Sequence, residues 1–200
     1  EAGLSARAVR VLLGEPAGTL YAGTEDGLYS TDDAGGTWRE ENLGLAVKDL
    51  RALARDPRTG TLYAGAFGGL FRRPPGRTEW EPAADGLPDL NIRALAVDPA
   101  GSLYTGTAGA GVFRSDDGGR TWRQSYNNPA ANTYVRFGLA LADSKTWYSG
   151  SYNAGPRYTG AVSTPPNKVG VVYKTADGGK TWKELPTGLV PFVGVQQLFV

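Results

Sequence analysis

The chain has 200 residues, 21 basic against 20 acidic, for a formal net charge of +1, so bulk electrostatics give no case for nucleic acid or an anionic membrane as partner. It contains no cysteine and no histidine, which excludes disulfides, thiolate nucleophiles, Ser-His-Asp and Cys-His arrangements and the usual zinc ligands. Its 29 glycines and 13 prolines, beside ten tyrosines and five tryptophans, suit many short strands joined by tight turns.

Taken in order, the chain repeats a unit of four expected strands. Strand A is Val9 to Leu13, Leu50 to Arg55, Ile92 to Val97 and Phe137 to Ala142, and it closes on turn formers such as Glu15-Pro16, Asp56-Pro57 and Asp98-Pro99. Strand B is Leu20 to Gly23, Leu62 to Gly65, Leu103 to Gly106 and Trp147 to Gly150. Strand C is Gly27 to Ser30, Gly69 to Arg72, Gly111 to Arg114 and Val171 to Lys174. Strand D starts at Trp38, Trp80, Trp122 and Trp182, and a Gly-Leu pair such as Gly44-Leu45 or Gly86-Leu87 leads to the next strand A. The first three of these tryptophans are 42 residues apart, and the last interval is 60.

A period of about 40 to 45 residues with several strand signals in each is the mark of propeller blades. The expected blades are 4–44, 45–86, 87–130 and 131–188 of one domain. The longer fourth interval falls in a B–C loop within Ser151 to Lys168, polar, aromatic and punctuated by Gly and Pro. From residue 189 onward Val195 to Val200 repeats the strand A pattern. The expected fold is therefore all-β: a β-propeller of four-stranded antiparallel blades, four of them plus the first strand of a fifth. An unclosed ring leaves strand edges open, so residues outside this chain are expected to complete it. The longest apolar runs are too short to span a bilayer, no signal peptide is present, and a chain without methionine that begins at Glu1 reads as a processed or trimmed product.

The link from strand C to strand D is the most regular part of the repeat. It reads Thr31-Asp32-Asp33-Ala34-Gly35-Gly36-Thr37-Trp38, then Ser115-Asp116-Asp117-Gly118-Gly119-Arg120-Thr121-Trp122, then Thr175-Ala176-Asp177-Gly178-Gly179-Lys180-Thr181-Trp182. A worn copy, Gly76-Arg77-Thr78-Glu79-Trp80, has Pro75 where the Asp would be. An Asp carboxylate can accept from backbone N–H groups just ahead of it, glycines take φ > 0 without strain, and Trp anchors the strand in an apolar layer. Asp32, Asp116 and Asp177 are read as capping their own turns. A calcium loop is the rival reading, but the alternating oxygen ligands and closing Glu of such a loop are missing, so no metal and no cofactor are expected.

The pattern S/T-x-D-x-G-x-T-W resembles the Asp box of bacterial-neuraminidase-type repeats, whose superfamily includes sialidases, xyloglucanase-type hydrolases, sortilin-type receptors and photosystem II assembly factors. The resemblance covers nearly all of the chain. It implies a structural role for Asp32, Gly35, Thr37 and Trp38, for Asp117, Gly119, Thr121 and Trp122, and for Asp177, Gly179, Thr181 and Trp182.

Strand parity sorts the loops. The A–B turns and the C–D links share one rim, and the B–C loops and D–A links share the other. Arg10, Arg51 and Arg93 each stand five residues before Glu15, Asp56 or Asp98, so they hold one register position near the start of strand A. Gly138 fills that position in the fourth repeat, with Arg136 two residues upstream on the same face. Two readings stay open: inter-blade pairing with a carboxylate or carbonyl, or a cationic collar that binds a carboxylate, phosphate or acidic segment. With Tyr152, Arg157 and Tyr158 of the long loop, these arginines form the candidate binding rim; the acids expected nearby are Glu25, Asp26, Asp85 and Asp89.

Sialidases resemble this chain in having inner-strand arginines, but no Arg-Ile-Pro opening and no Tyr-Glu pair stands out here. Photosystem II assembly factors are similar as single propellers that present arginines, though their strands have a Gly-Trp-Ala-Val-Gly flavour and this chain has Leu-Tyr-Ala-Gly-Thr. The functional expectation is a non-catalytic binding or scaffold propeller, extracellular or periplasmic, with a protein or carbohydrate partner and an acidic one favoured. The alternative is part of a glycoside hydrolase, which would show two carboxylates about 5 to 10 Å apart across a cleft. No catalytic residue is assigned.

Overall fold

The computed structural model describes residue 4 and residues 8–126, 138–141, 145–151, 171–177, 181 and 183–185. The strands fall into four sheets of four. The first holds β1 (Val9–Gly14), β2 (Leu20–Thr24), β3 (Gly27–Thr31) and β4 (Arg39–Glu40). The second holds β5 (Leu50–Arg55), β6 (Leu62–Ala66), β7 (Gly69–Arg73) and β8 (Glu81–Pro82). The third holds β9 (Ile92–Val97), β10 (Leu103–Thr107), β11 (Val112–Ser115) and β12 (Arg123–Tyr126). The fourth holds β13 (Gly138–Leu141), β14 (Trp147–Ser151), β15 (Val171–Thr175) and β16 (Lys183–Leu185). Each sheet is a meander in chain order, antiparallel throughout, with registers such as Leu53↔Ala64 and Ala64↔Phe71.

These elements follow the expected repeat within a residue or two. The exception is strand D, which opens one residue after each tryptophan and is two residues long in the first two sheets. The expected fifth-repeat strand at Val195 to Val200 lies outside the described residues.

Successive first strands pack side by side, β1 on β5, β5 on β9 and β9 on β13; among the described residues no comparable packing joins β13 back to β1. The apolar core lies between sheets rather than within them. One cluster joins the first sheet to the second through Leu28, Leu45, Leu50, Leu62, Phe71 and Trp80. Another joins the second to the third through Tyr63, Leu70, Leu87, Ile92, Leu103 and Phe113. Each fully buried Leu, Ile or Phe contributes about 1.5 to 3 kcal/mol, so the chain is held together mostly by sheet-on-sheet contact.

Leu45 and Leu87, from the Gly-Leu pairs, are buried in these layers, which explains their recurrence. The glycine that ends the Leu-Tyr-Ala-Gly strand has a packing reason. A Cβ built on Gly65 would lie 2.4 Å from Ile92 Cγ2, so a side chain there would push β9 off β6. The tryptophans are less uniform than the repeat suggests. Trp80 is buried, whereas Trp38 and Trp122 are half-buried. The Trp80 and Trp122 rings rest on the preceding sheet, and no described sheet precedes Trp38.

Candidate binding rim

The C–D turns are built around one carboxylate each. Asp33 Oδ1 accepts from the Thr37 N–H at 2.8 Å and from the Thr31 hydroxyl at 2.7 Å, and its Oδ2 accepts from the Thr37 hydroxyl at 2.7 Å. Asp117 accepts from the Ser115 hydroxyl at 2.8 Å and from the N–H and hydroxyl of Thr121 at 2.9 and 2.6 Å. Asp177 repeats this with Thr175 and Thr181. The Thr37 N–H, then the Thr31 and Thr37 hydroxyls, hold the Asp33 carboxyl far below the usual range, and the Thr121 hydroxyl and N–H do the same for Asp117. Gly35 and Gly119 take the positive φ these turns need.

The capping expected of Asp32 and Asp116 is therefore corrected. Asp32 accepts from the Thr19 hydroxyl at 2.7 Å and pairs with Arg39. Asp116 accepts from the Ser102 hydroxyl at 2.8 Å, from Arg114 Nε at 2.7 Å and from Arg123 Nη2 at 2.8 Å. Their neighbours one residue later bend back into the turn, while these two reach out and tie it to the A–B turn of the same sheet. In the second sheet Pro74 and Pro75 occupy both acidic positions, and Arg72 Nε pairs instead with Glu81 at 2.7 Å.

The opposite rim carries the arginines. The β1–β2 register breaks between Val9 and Val11, the β5–β6 register between Leu50 and Ala52, and the β9–β10 register between Gly106 and Thr107, opposite Ala94 and Ile92. Arg10, Arg51 and Arg93 are thus each the extra residue of a β-bulge. A bulge re-aims its side chain out of the regular alternation. In the fourth sheet the described pairing begins at Gly138↔Gly150, the counterpart of Ala52↔Gly65 in the second. Gly138 therefore does not hold the arginine register position expected of it, and that position lies outside the described residues.

Two of the bulged arginines, Arg10 and Arg51, meet on one residue that sequence reasoning missed. Asp49 Oδ1 accepts from Arg51 Nε at 3.1 Å and Oδ2 from Arg51 Nη2 at 2.6 Å, while Arg10 Nε of the neighbouring sheet stands 3.0 Å from Oδ1. Arg10 Nη2 also reaches Glu25, at 3.4 Å. The Arg51 hydrogen bonds, followed by the charges of Arg51, Arg10 and Arg93, hold the Asp49 carboxyl below its ordinary value against the opposing effect of burial. The signal was in the sequence: Asp49 stands two residues before Arg51, where the other two repeats have Ala8 and Asn91.

Backbone contacts place apolar side chains on the same rim. The Phe67 N–H donates to the Asp49 carbonyl at 3.1 Å, and the Gly68 N–H to the Leu90 carbonyl at 3.0 Å. Phe67 and Leu90 are 56% and 43% exposed. Asp89 accepts from the N–H groups of Asn91 at 2.9 Å and Gly109 at 2.6 Å, which fixes the next hairpin beside them. Arg136, Tyr152, Arg157, Tyr158, Gly179 and Trp182 lie outside the described residues.

No protein-family model and no curated protein sequence matches this chain. Solved structures do. YCF48 bound to D1 peptide matches with a TM-score of 0.62 at 22% identity, over 92% of this chain and 55% of that one. The GH74 xyloglucanase from Xanthomonas campestris matches with a TM-score of 0.65 at 20% identity, over 91% of this chain and 30% of that one. The fold is a β-propeller. Its four sheets are blades, and the run they form among the described residues is not closed. A further match, from a nidogen/laminin complex, has a TM-score of 0.66 at 15% identity, over 90% of this chain and 65% of that one. The chain spans 55% of the YCF48 chain and 30% of the xyloglucanase. Among the described residues no helix is long and apolar enough to cross a membrane.

Proposed function

We propose that this chain is a non-catalytic binding or scaffold propeller, working outside the cytoplasm, whose bulged-arginine rim receives an acidic segment of a protein partner. The observation that carries the reading is the composition of that rim: Arg10 and Arg51 on one shared carboxylate, Asp49, which the charge of Arg93 also lowers, flanked by exposed Phe67 and Leu90. Aromatic and arginine side chains that can be desolvated together are the usual anchors of protein interfaces. Asp49 holds the guanidinium groups in place, and an incoming carboxylate would share their remaining donors. One structural relative, YCF48, is bound to a peptide. A second reading, part of a glycoside hydrolase, has the GH74 structural relatives behind it and needs two carboxylates facing each other across a cleft.

The test is fluorescence anisotropy with a labelled peptide of alternating Glu and Tyr. Binding should weaken as salt rises, and Phe67→Ser combined with Arg51→Ala should abolish it while the circular dichroism spectrum is unchanged. Hydrolysis of xyloglucan oligosaccharides, or peptide binding indifferent to both substitutions, would overturn the proposal.

A further inference from the structure

The rim opposite the bulged arginines holds a second cationic feature, at the junction of the first and second blades. A pocket of about 380 Å³ opens there, with Glu15 and Tyr21 on the first-blade side and Arg55, Arg73 and Arg77 on the second. The volume is that of a small-molecule site. Its existence follows from the worn repeat. In the first and third blades, the C–D turn carries two acids beside the A–B turn, Asp32 with Asp33 and Asp116 with Asp117, and Asp32 and Asp116 accept from Thr19 and Ser102. In the second blade both positions are proline, so the turn that lines this pocket brings no carboxylate to it.

The basic groups are still there. Arg55 Nε stands 3.0 Å from Glu15 Oε1 but is buried and donates no hydrogen bond. Arg73 is buried, donates to Glu41 at 2.5 Å and stacks on Trp80 with its guanidinium 5.0 Å from the ring centre. Arg77 is exposed, and among the described residues its side chain has no ion pair or hydrogen bond. Arg58 borders the pocket as well, though its guanidinium leans over Gly101 of the next blade. Leaving Arg58 aside, the guanidinium-bearing residues Arg55, Arg73 and Arg77 line the pocket with one carboxylate, Glu15, while Glu41 pairs with Arg73 from beyond the lining. Burial, and then the charge of Glu15, raises the Tyr21 phenol, with the charge of Arg73 opposing them; its hydrogen is held at neutral pH and can donate. Pro57, Pro75 and Leu62 supply an apolar wall.

We infer that this inter-blade pocket is an anion site for a phosphate or sulfate monoester on a sugar-sized body, the tetrahedral oxyanion taking the place of the carboxylates that Pro74 and Pro75 removed. A tetrahedral oxyanion offers three acceptor oxygens and up to two negative charges, which match fork-shaped guanidinium donors and the local excess of positive charge. The Tyr21 hydroxyl donates to the same group, and the proline and leucine wall takes the face of the ring.

Isothermal titration of the 200-residue chain with glucose 6-phosphate, glucose 6-sulfate and glucose tests this. One or both esters should bind, more weakly as salt rises, and glucose should not; whichever ester binds identifies the oxyanion. Arg77→Ala touches no structural contact and should weaken ester binding about tenfold or more. Pro74→Asp with Pro75→Asp restores the acids of the other blades and should abolish it, with unfolding temperature as the check on folding. Arg51→Ala, on the far rim, should leave ester binding intact, so failure here is separable from failure of the peptide-binding proposal. Equal binding of glucose and its esters, no binding of either ester, or an Arg77→Ala variant that binds as well as the parent chain would overturn the inference.

Discussion

Trp80 and Glu41 are joined across two blades: the indole Nε1 of Trp80 donates to the backbone carbonyl of Glu41 at 2.8 Å. The next pair repeats it, Trp122 Nε1 to the Ala83 carbonyl at 2.9 Å. Glu41 and Ala83 each stand three residues after the tryptophan of their own blade, so Trp80 and Trp122 each latch their blade to the one before at the same repeat position. The repeated Trp therefore works between repeats. A single repeat could not use it, which is why stability here depends on stacking neighbours.

This predicts unequal tryptophans. Trp80→Ala empties a buried site, strands the Glu41 carbonyl and removes the ring beneath Arg73, so it should cost about 3 to 5 kcal/mol. Trp38→Ala, at a half-buried ring, should cost less than half as much. Urea unfolding of the two variants measures the difference, and equal losses would contradict the latch.

Gly65→Ala should destabilise by about 1 to 3 kcal/mol, because the new methyl meets Ile92 and forces β9 away from β6. Gly14→Ala, with nothing within 4 Å of the added methyl, should be nearly neutral. Thermal unfolding of both variants checks the contrast.

Asp49→Ala removes the carboxylate that Arg10 and Arg51 share. Breaking a partly buried pair leaves like charges facing each other, and the expected cost is roughly 1 to 2 kcal/mol. Added sulfate should then raise the unfolding temperature of the variant more than that of the parent chain, since the anion substitutes for the lost carboxylate. An identical sulfate response in both would argue against Arg10 and Arg51 converging on Asp49.

Acid sensitivity follows from the turns. Asp33, Asp49 and Asp117 have folded pKa values below their unfolded ones, so each stabilises the fold above the ordinary carboxylate pKa. That contribution is lost as pH falls below roughly 4. Unfolding temperature should be flat near neutrality and drop in acid. Asp117→Asn should lower it at neutral pH and shrink the acid-induced drop, which a melting series between neutral and strongly acidic buffer would measure.

The sequence determined the blades because their signals are local. Period-two strands, Asp-Pro turns and a Ser/Thr-x-Asp-x-Gly turn each depend on residues within a few positions, and the tryptophan spacing counts the repeats. It also determined that Arg10, Arg51 and Arg93 are equivalent, since register follows from counting. Tertiary structure decided what those arginines do. Strict alternation gives no bulge, yet β1, β5 and β9 each spend one extra residue on the arginine, and the partner Asp49 meets Arg10 only because adjacent blades pack first strand to first strand. Which acid closes a turn was legible in the repeat, because Ala176 leaves Asp177, the counterpart of Asp33 and Asp117, as the sole acid of its copy. What the other acid does was not: only the folded turn aims Asp32 outward at Thr19 while Asp33 turns inward to Thr37. The pocket beside Pro74 and Pro75 was beyond sequence reading for the same physical reason: a missing carboxylate becomes a site only where another blade brings side chains to face the gap.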